Sequence, residues 1–135
     1  MTHPIHFELV SPEARLFADE VTMVVIPGTE GDFGVLSGHM PLVANVKSGV
    51  VEIFRNDMKN ISERYFIAGG VADVTGTQCT LLAEQAVNVN DIDRTDIERK
   101  IAEAEEDIKI VENDSEKDSL HKKLATYRAM LHSVR

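Results

Sequence analysis

The hydrophobic period of this 135-residue chain changes once, near residue 90, and no single kind of element accommodates both halves. Before that point apolar residues alternate with polar ones. Ile5, Phe7 and Leu9 interleave with His6 and Glu8, the period of a strand with one buried face. Further β-branched or alternating runs occupy residues 21–26, 49–54, 61–68, 71–74, 80–83 and 86–89. Turn signals separate several of them: Pro27-Gly28, Arg55-Asn56-Asp57 and Gly69-Gly70. Short strands punctuated at this rate predict an antiparallel β-sandwich of about ten strands. Tryptophan is absent and aromatics make up 5% of the chain, so the core has to rest on Val, Ile, Leu and Ala.

From Asp91 onward there is neither Gly nor Pro. Ile97, Ile101, Ala104, Ile108 and Val111 recur at spacings of 4, 3, 4 and 3, and Leu120, Leu124, Tyr127, Leu131 and Val134 repeat that rhythm. Each set is a heptad-like seam along one helix face. Asn113-Asp114-Ser115 interrupts the two, and Ser115 followed by Asp118 reads as the cap of the second helix. A break this short makes antiparallel neighbours. The expected architecture is α+β: a ten-stranded antiparallel β-sandwich over residues 1–89, then an antiparallel two-helix hairpin over 90–135.

Charge is divided between the two helical segments. Residues 91–114 hold ten acidic and four basic side chains, a sum of -6; residues 115–135 hold two acidic and five basic, a sum of +3. Opposite signs favour side-by-side packing, though each exposed pair contributes only about 0–1 kcal/mol. Two helices about 30 Å long sharing one narrow seam are marginal in isolation. The hairpin therefore either docks in more than one state or serves as a fixed appendage.

The net charge of -9 argues against nucleic acid or an anionic bilayer as a direct partner. One cysteine, Cys79, rules out an internal disulfide and gives no sign of an oxidising compartment. Residues 1–6 lack both a charged leader and an apolar core, and read as a mature start. No apolar run approaches the roughly 20 residues a spanning helix needs, so no direct bilayer insertion is expected.

The most specific stretch runs from Pro27 to Leu42: Pro-Gly-Thr-Glu-Gly-Asp-Phe-Gly-Val-Leu-Ser-Gly-His-Met-Pro-Leu. It reads as a tightly shaped loop. It lacks the Gly-Lys-Ser/Thr of a phosphate loop and the glycine spacing of a dinucleotide fingerprint. Asp32 and His39 could suggest an acid–base pair, but no nucleophile or metal-ligand cluster accompanies them.

This stretch resembles the epsilon subunit of bacterial F-type ATP synthases. Tyr65-Phe66-Ile67-Ala68-Gly69-Gly70-Val71-Ala72-Asp73-Val74, then Leu81-Leu82-Ala83-Glu84, fits a second block of that family, and Phe7 to Glu13 fits its start. The resemblance extends over the whole chain. It implies a non-catalytic rotor subunit of a proton-translocating synthase, with no cofactor, lying on the cytoplasmic face of the bacterial inner membrane. The implied partners are the gamma subunit, the polar loops of the c-subunit ring, and the alpha and beta subunits when the hairpin extends to restrain ATP hydrolysis.

Residue by residue, the resemblance puts Asp32 and His39 at the c-ring loops, with Glu30, Phe33 and Met40 beside them. The plainer reading is that the glycines only shape a turn and His39 caps a backbone group. Lys117, Lys122, Lys123 and Arg128 are the candidates for an acidic segment of the beta subunit, against the reading that they are ordinary solvated side chains. A competing function is a free-standing β-sandwich that takes a small ligand in its Gly-rich loop.

Some members of the family hold ATP on the first helix through Ile/Leu-Asp-x-x-Arg-Ala. Ile92 and Asp93 match, but Asp96 stands at the arginine position and Ile97 at the alanine position. An acid facing a triphosphate is repulsive. Calorimetric titration of the isolated subunit with ATP is therefore expected to show no binding at millimolar or tighter affinity; a clear isotherm in that range would refute the reading.

Overall fold

A computed structural model describes residues 3–134 of the protein. Met1, Thr2 and Arg135 fall outside the described residues, and so does part of the start expected at residues 1–6. The chain divides into two compact units, Met1–Val89 and Asn90–Arg135.

The first unit is a β-sandwich. Its strands are β1 (Ile5–Val10), β2 (Arg15–Val21), β3 (Met23–Gly28), β4 (Gly31–Val35), β5 (Leu42–Phe54), β6 (Glu63–Val74), β7 (Gln78–Ala83) and β8 (Ala86–Asn88). Hydrogen bonding joins them in the order β2-β1-β7-β6-β5-β3-β4, with β8 also on β6. The expected ten antiparallel strands become eight described ones in a mixed sheet, because β1 and β7 run parallel.

One reason for the lower number lies at Gly69-Gly70. That pair reads as a break, yet β6 runs straight through it, so 61–68 and 71–74 belong to one strand rather than two. Gly69 and Gly70 take φ of +90° and +155°, conformations that L side chains rarely adopt. Before the pair, Tyr65 to Ile67 face β8; after it, residues 70–74 face β7. β5 runs beside β6 throughout, its register passing from Val46↔Gly70 to Ser48↔Ala68. A single strand thus serves two parts of the sheet.

The core follows from the alternation seen in sequence. Ile5, Phe7, Leu9, Ile26, Val51, Ile67 and Leu81 are fully buried in one cluster. Burying each such side chain contributes about 1.5–3 kcal/mol. Arg55 secures the outer layer: it pairs with Asp19 at 2.6 Å and Glu63 at 3.2 Å and lies over the Phe17 ring at 4.8 Å.

A single 3-10 turn at Val89–Asp91 leads into the second unit, which holds α1 (Arg94–Ile110) and α2 (Asp114–Ser133). Asp93 caps α1, its carboxylate accepting from the Thr95 and Asp96 amides. The cap of α2 is Asn113 rather than the expected Ser115, accepting from Ser115 and Glu116 at 2.8 and 3.2 Å. Asn113 and Glu116 have the three-residue spacing of a capping box, with the usual Glu at its end where the expected pair had Asp118. Ile97, Ala104 and Leu124 are buried and the remaining seam residues are partly so. The charge attraction narrows, among the described residues, to one interhelical ion pair, Arg128–Glu105 at 3.2 Å, with Lys100 lying 6.0 Å from the Tyr127 ring.

Two measurements test this packing. A Cβ at Gly70 would run into the Leu82 carbonyl, and the backbone there is already unfavourable for a side chain. Gly70→Ala should lose about 2–4 kcal/mol in urea unfolding. Cys79 in β7 is fully buried, and burial first, then the charge of Asp73, pushes its thiol up to about 12. It should stay unlabelled by a thiol reagent at pH 8 in the folded chain and react once urea unfolds the sandwich.

Candidate docking surface at the glycine-rich hairpin

The stretch expected as a loop is largely a β-hairpin. β3 and β4 pair Ile26 with Phe33, Pro27 with Asp32 and Gly28 with Gly31, leaving Thr29-Glu30 as the turn. Gly31 closes it with φ of +126°. Gly28 has a different reason to be glycine: a Cβ there would lie 2.9 Å from the Phe33 ring and 2.8 Å from the Gly31 carbonyl. The Phe33 ring therefore lies over Gly28 and is half-buried against the core. The Thr29 amide donates to the Asn45 carbonyl at 3.1 Å, tying the tip to β5.

This arrangement exposes Glu30 and Asp32, and neither forms an ion pair among the described residues. Both line an open groove of about 550 Å³ with Phe33, Leu42, Val43 and Asn45. Leu42 and Val43 are 38% and 69% exposed, and Met40, two residues upstream, is 80% exposed. The result is an acidic lip beside an apolar rim. Leu42 and Val43 were not among the sequence candidates. Two adjacent apolar residues in an alternating strand were the available signal, since one of the two has to face outward.

His39 is placed differently from its neighbours. Its amide donates to the Leu36 carbonyl at 3.1 Å and its ring Nδ1 lies 2.7 Å from the Met40 carbonyl. A carbonyl only accepts, so Nδ1 carries the proton in that bond. The imidazole thus caps a backbone group and forms no ion pair with Asp32. Among the described residues no group of three or more His, Cys, Asp or Glu could hold a metal.

A second apolar strip crosses the outer face of the sandwich. Val71 of β6 is opposite Leu82 of β7 and Asn45 of β5. Val71 and Leu82 are 38% and 54% exposed and line a groove of about 520 Å³ with Val10, Pro12 and Glu84.

On the hairpin, Lys122 and Lys123 are exposed and Lys117 half-exposed, none in an ion pair among the described residues, whereas Arg128 is engaged by Glu105. Ile92 precedes α1 and Asp93 is occupied as its cap. Asp96 sits against Arg99 and, at 3.3 Å, Lys100, and Arg99 first and Lys100 second hold its carboxyl below the usual range. No helix among the described residues is long and apolar enough to cross a membrane.

Comparison with known proteins names this arrangement. The family model described as "ATP synthase, Delta/Epsilon chain, beta-sandwich domain" matches residues 4–89. The ATP synthase epsilon chain of Rhodospirillum centenum is 40% identical, covering 97% of this chain and 92% of its own. That of Maricaulis maris is 42% identical, covering 96% of each. The fold recurs in a chain of the Euglena gracilis mitochondrial ATP synthase, solved as OSCP/F1/c-ring, with a TM-score of 0.80 at 20% identity over 98% of this chain and 82% of that one. It recurs in the central stalk/c-ring structure of the Tetrahymena thermophila enzyme with a TM-score of 0.62 at 15% identity, covering 99% and 98%. A sandwich with this hairpin, matched end to end by bacterial relatives, belongs to the ATP synthase epsilon chain family.

Proposed function

We propose that the chain works as a central-stalk subunit of a bacterial, proton-translocating ATP synthase, carried on the cytoplasmic face of the inner membrane and turning with the rotor. It is a non-catalytic subunit, and its work is to hold partners. The observation that carries this reading is the hairpin tip, where Glu30 and Asp32, in no ion pair among the described residues, line one groove with exposed Leu42 and Val43. Acidic groups with no internal partner fit polar, basic loops, and the apolar rim adds buried area once those loops arrive. The c-subunit ring is the partner assigned to this lip, with Glu30, Asp32, Phe33, His39 and Met40 in contact.

The Val71–Leu82 strip is assigned to the gamma subunit. It is an open, largely apolar groove rimmed by Glu84, which suits a packed helix better than a small ligand. The hairpin is the regulatory part. Its free Lys117, Lys122 and Lys123, with Arg128 once released from Glu105, supply a basic face for the beta subunit when the helices leave their closed pairing. ATP is not its ligand, since Asp93 and Asp96 are both engaged locally.

The assembled complex tests both halves. Asp32→Ala should weaken retention on the c-ring about two- to fivefold while binding to gamma persists. Truncation after Val89 should raise ATP hydrolysis with assembly retained. Unchanged hydrolysis would make the hairpin structural, and failure to co-purify with gamma would remove the stalk assignment altogether.

A further inference from the structure

The loop at residues 36–41, between β4 and β5, carries His39 and Met40, yet it has little to hold it. The bond from the His39 amide to Leu36 and the contact of its ring with Met40 are both internal to the loop. Outside the strand ladders, one hydrogen bond among the described residues ties this loop to the rest of the sandwich: the Gly38 amide donates to the Gly76 carbonyl at 2.7 Å. Gly38 has φ of +86°, so the amide is aimed by an unusual backbone conformation.

The acceptor is aimed as well. Gly76 lies in the turn between β6 and β7, which is closed by the Thr75 amide donating to the Gln78 carbonyl at 2.7 Å, tied to β1 by the His6 amide donating to the Thr77 carbonyl at 3.1 Å, and reinforced by the Thr75 hydroxyl. Thr75 Oγ1 accepts from the Gln78 amide at 3.0 Å and the Thr77 amide at 3.4 Å, and donates to the Gln78 carbonyl at 3.2 Å. Gly76 itself has no positive φ, and a Cβ on it would meet nothing within 4 Å. The direction of its carbonyl is therefore set by the turn, to which the Thr75 hydroxyl adds three of the hydrogen bonds.

We propose that Thr75 is a positioning residue for the docking lip: through the Gly76 carbonyl and the Gly38 amide it holds the loop that presents Met40 and His39 to the c-ring. This rests on the docking reading above. Thr75 touches neither the lip nor the partner; it acts by reducing the conformational freedom the loop would otherwise lose on binding.

The test uses full-length Thr75→Val, which keeps the shape and removes the hydroxyl, and Thr75→Ser, which keeps the hydroxyl. Three quantities are read: exchange of the Gly38 amide by NMR, binding to the detergent-solubilised c-ring, and binding to gamma. Thr75→Val should speed Gly38 exchange about tenfold and weaken c-ring binding about two- to tenfold, the range of one lost hydrogen bond. Gamma binding should hold, and Thr75→Ser should restore the other two. Equal losses toward c-ring and gamma would mean general destabilisation and overturn the proposal. Unchanged c-ring binding in Thr75→Val, with a loss in Asp32→Ala, would overturn the brace alone. Unchanged binding in both would overturn the docking reading and the brace with it.

Discussion

The sandwich depends on β6 being able to change its partner midway without ending. Gly69 and Gly70 allow this by occupying backbone conformations closed to other residues, with β7 packed so tightly against Gly70 that no side chain fits. The first half of the strand then pairs with β8 and the second with β7, while β5 follows along the whole length. Most of the buried cluster comes from strands joined directly to this pair or one strand removed. The two layers are thus covalently and hydrogen-bond continuous, and the core between them is mostly aliphatic around the touching rings of Phe7, Phe17 and Tyr65.

That framework decides what the glycine-rich hairpin can offer. Phe33 anchors it from below, over Gly28, and the Thr29 amide fixes the tip to β5. With both faces of the turn restrained, Glu30 and Asp32 are held in solvent without an internal cation. Exposed carboxylates in such a setting add little to stability. In the proposed docking their value lies in selecting the partner, and the adjacent Leu42–Val43 rim offers it apolar surface to cover.

Much of this was legible in the residues, and the exceptions have identifiable causes. The alternation of Ile5, Phe7 and Leu9, the two helical seams and the change of period all reappear as structure. β4 was hidden because Gly-Asp-Phe-Gly has poor intrinsic strand preference; pairing with β3 supplies what local preference lacks. Gly69-Gly70 reads as a stop for the same reason, since nothing local distinguishes a bend that continues from a turn that ends. Ser115 looked like the helix cap because Asn113 two residues earlier does the same chemistry. The adjacent pair Leu42–Val43 requires one of the two to face outward, but the exposure of both does not follow from it, because a strand pattern does not say which of its faces lacks a covering layer. His39 shows the opposite case: the modest reading, a ring bonded to backbone, describes its contacts, whereas its part in any interface runs through the loop it shapes.

The hairpin joins α1, with six acidic and four basic residues, to α2, with three acidic and four basic, through three residues, with one ion pair between them among the described residues. Arg94, Arg99 and Lys100 pair with Glu98, Asp96 and Glu103 within α1, whereas Lys122 and Lys123 of α2 are exposed and in no ion pair among the described residues. Such a body has a small transverse electric moment, with α1 the more negative flank. In the field of a charged neighbour it is turned before it is touched, so its angle of approach is selected at a distance of about one Debye length, roughly 8 Å in physiological salt.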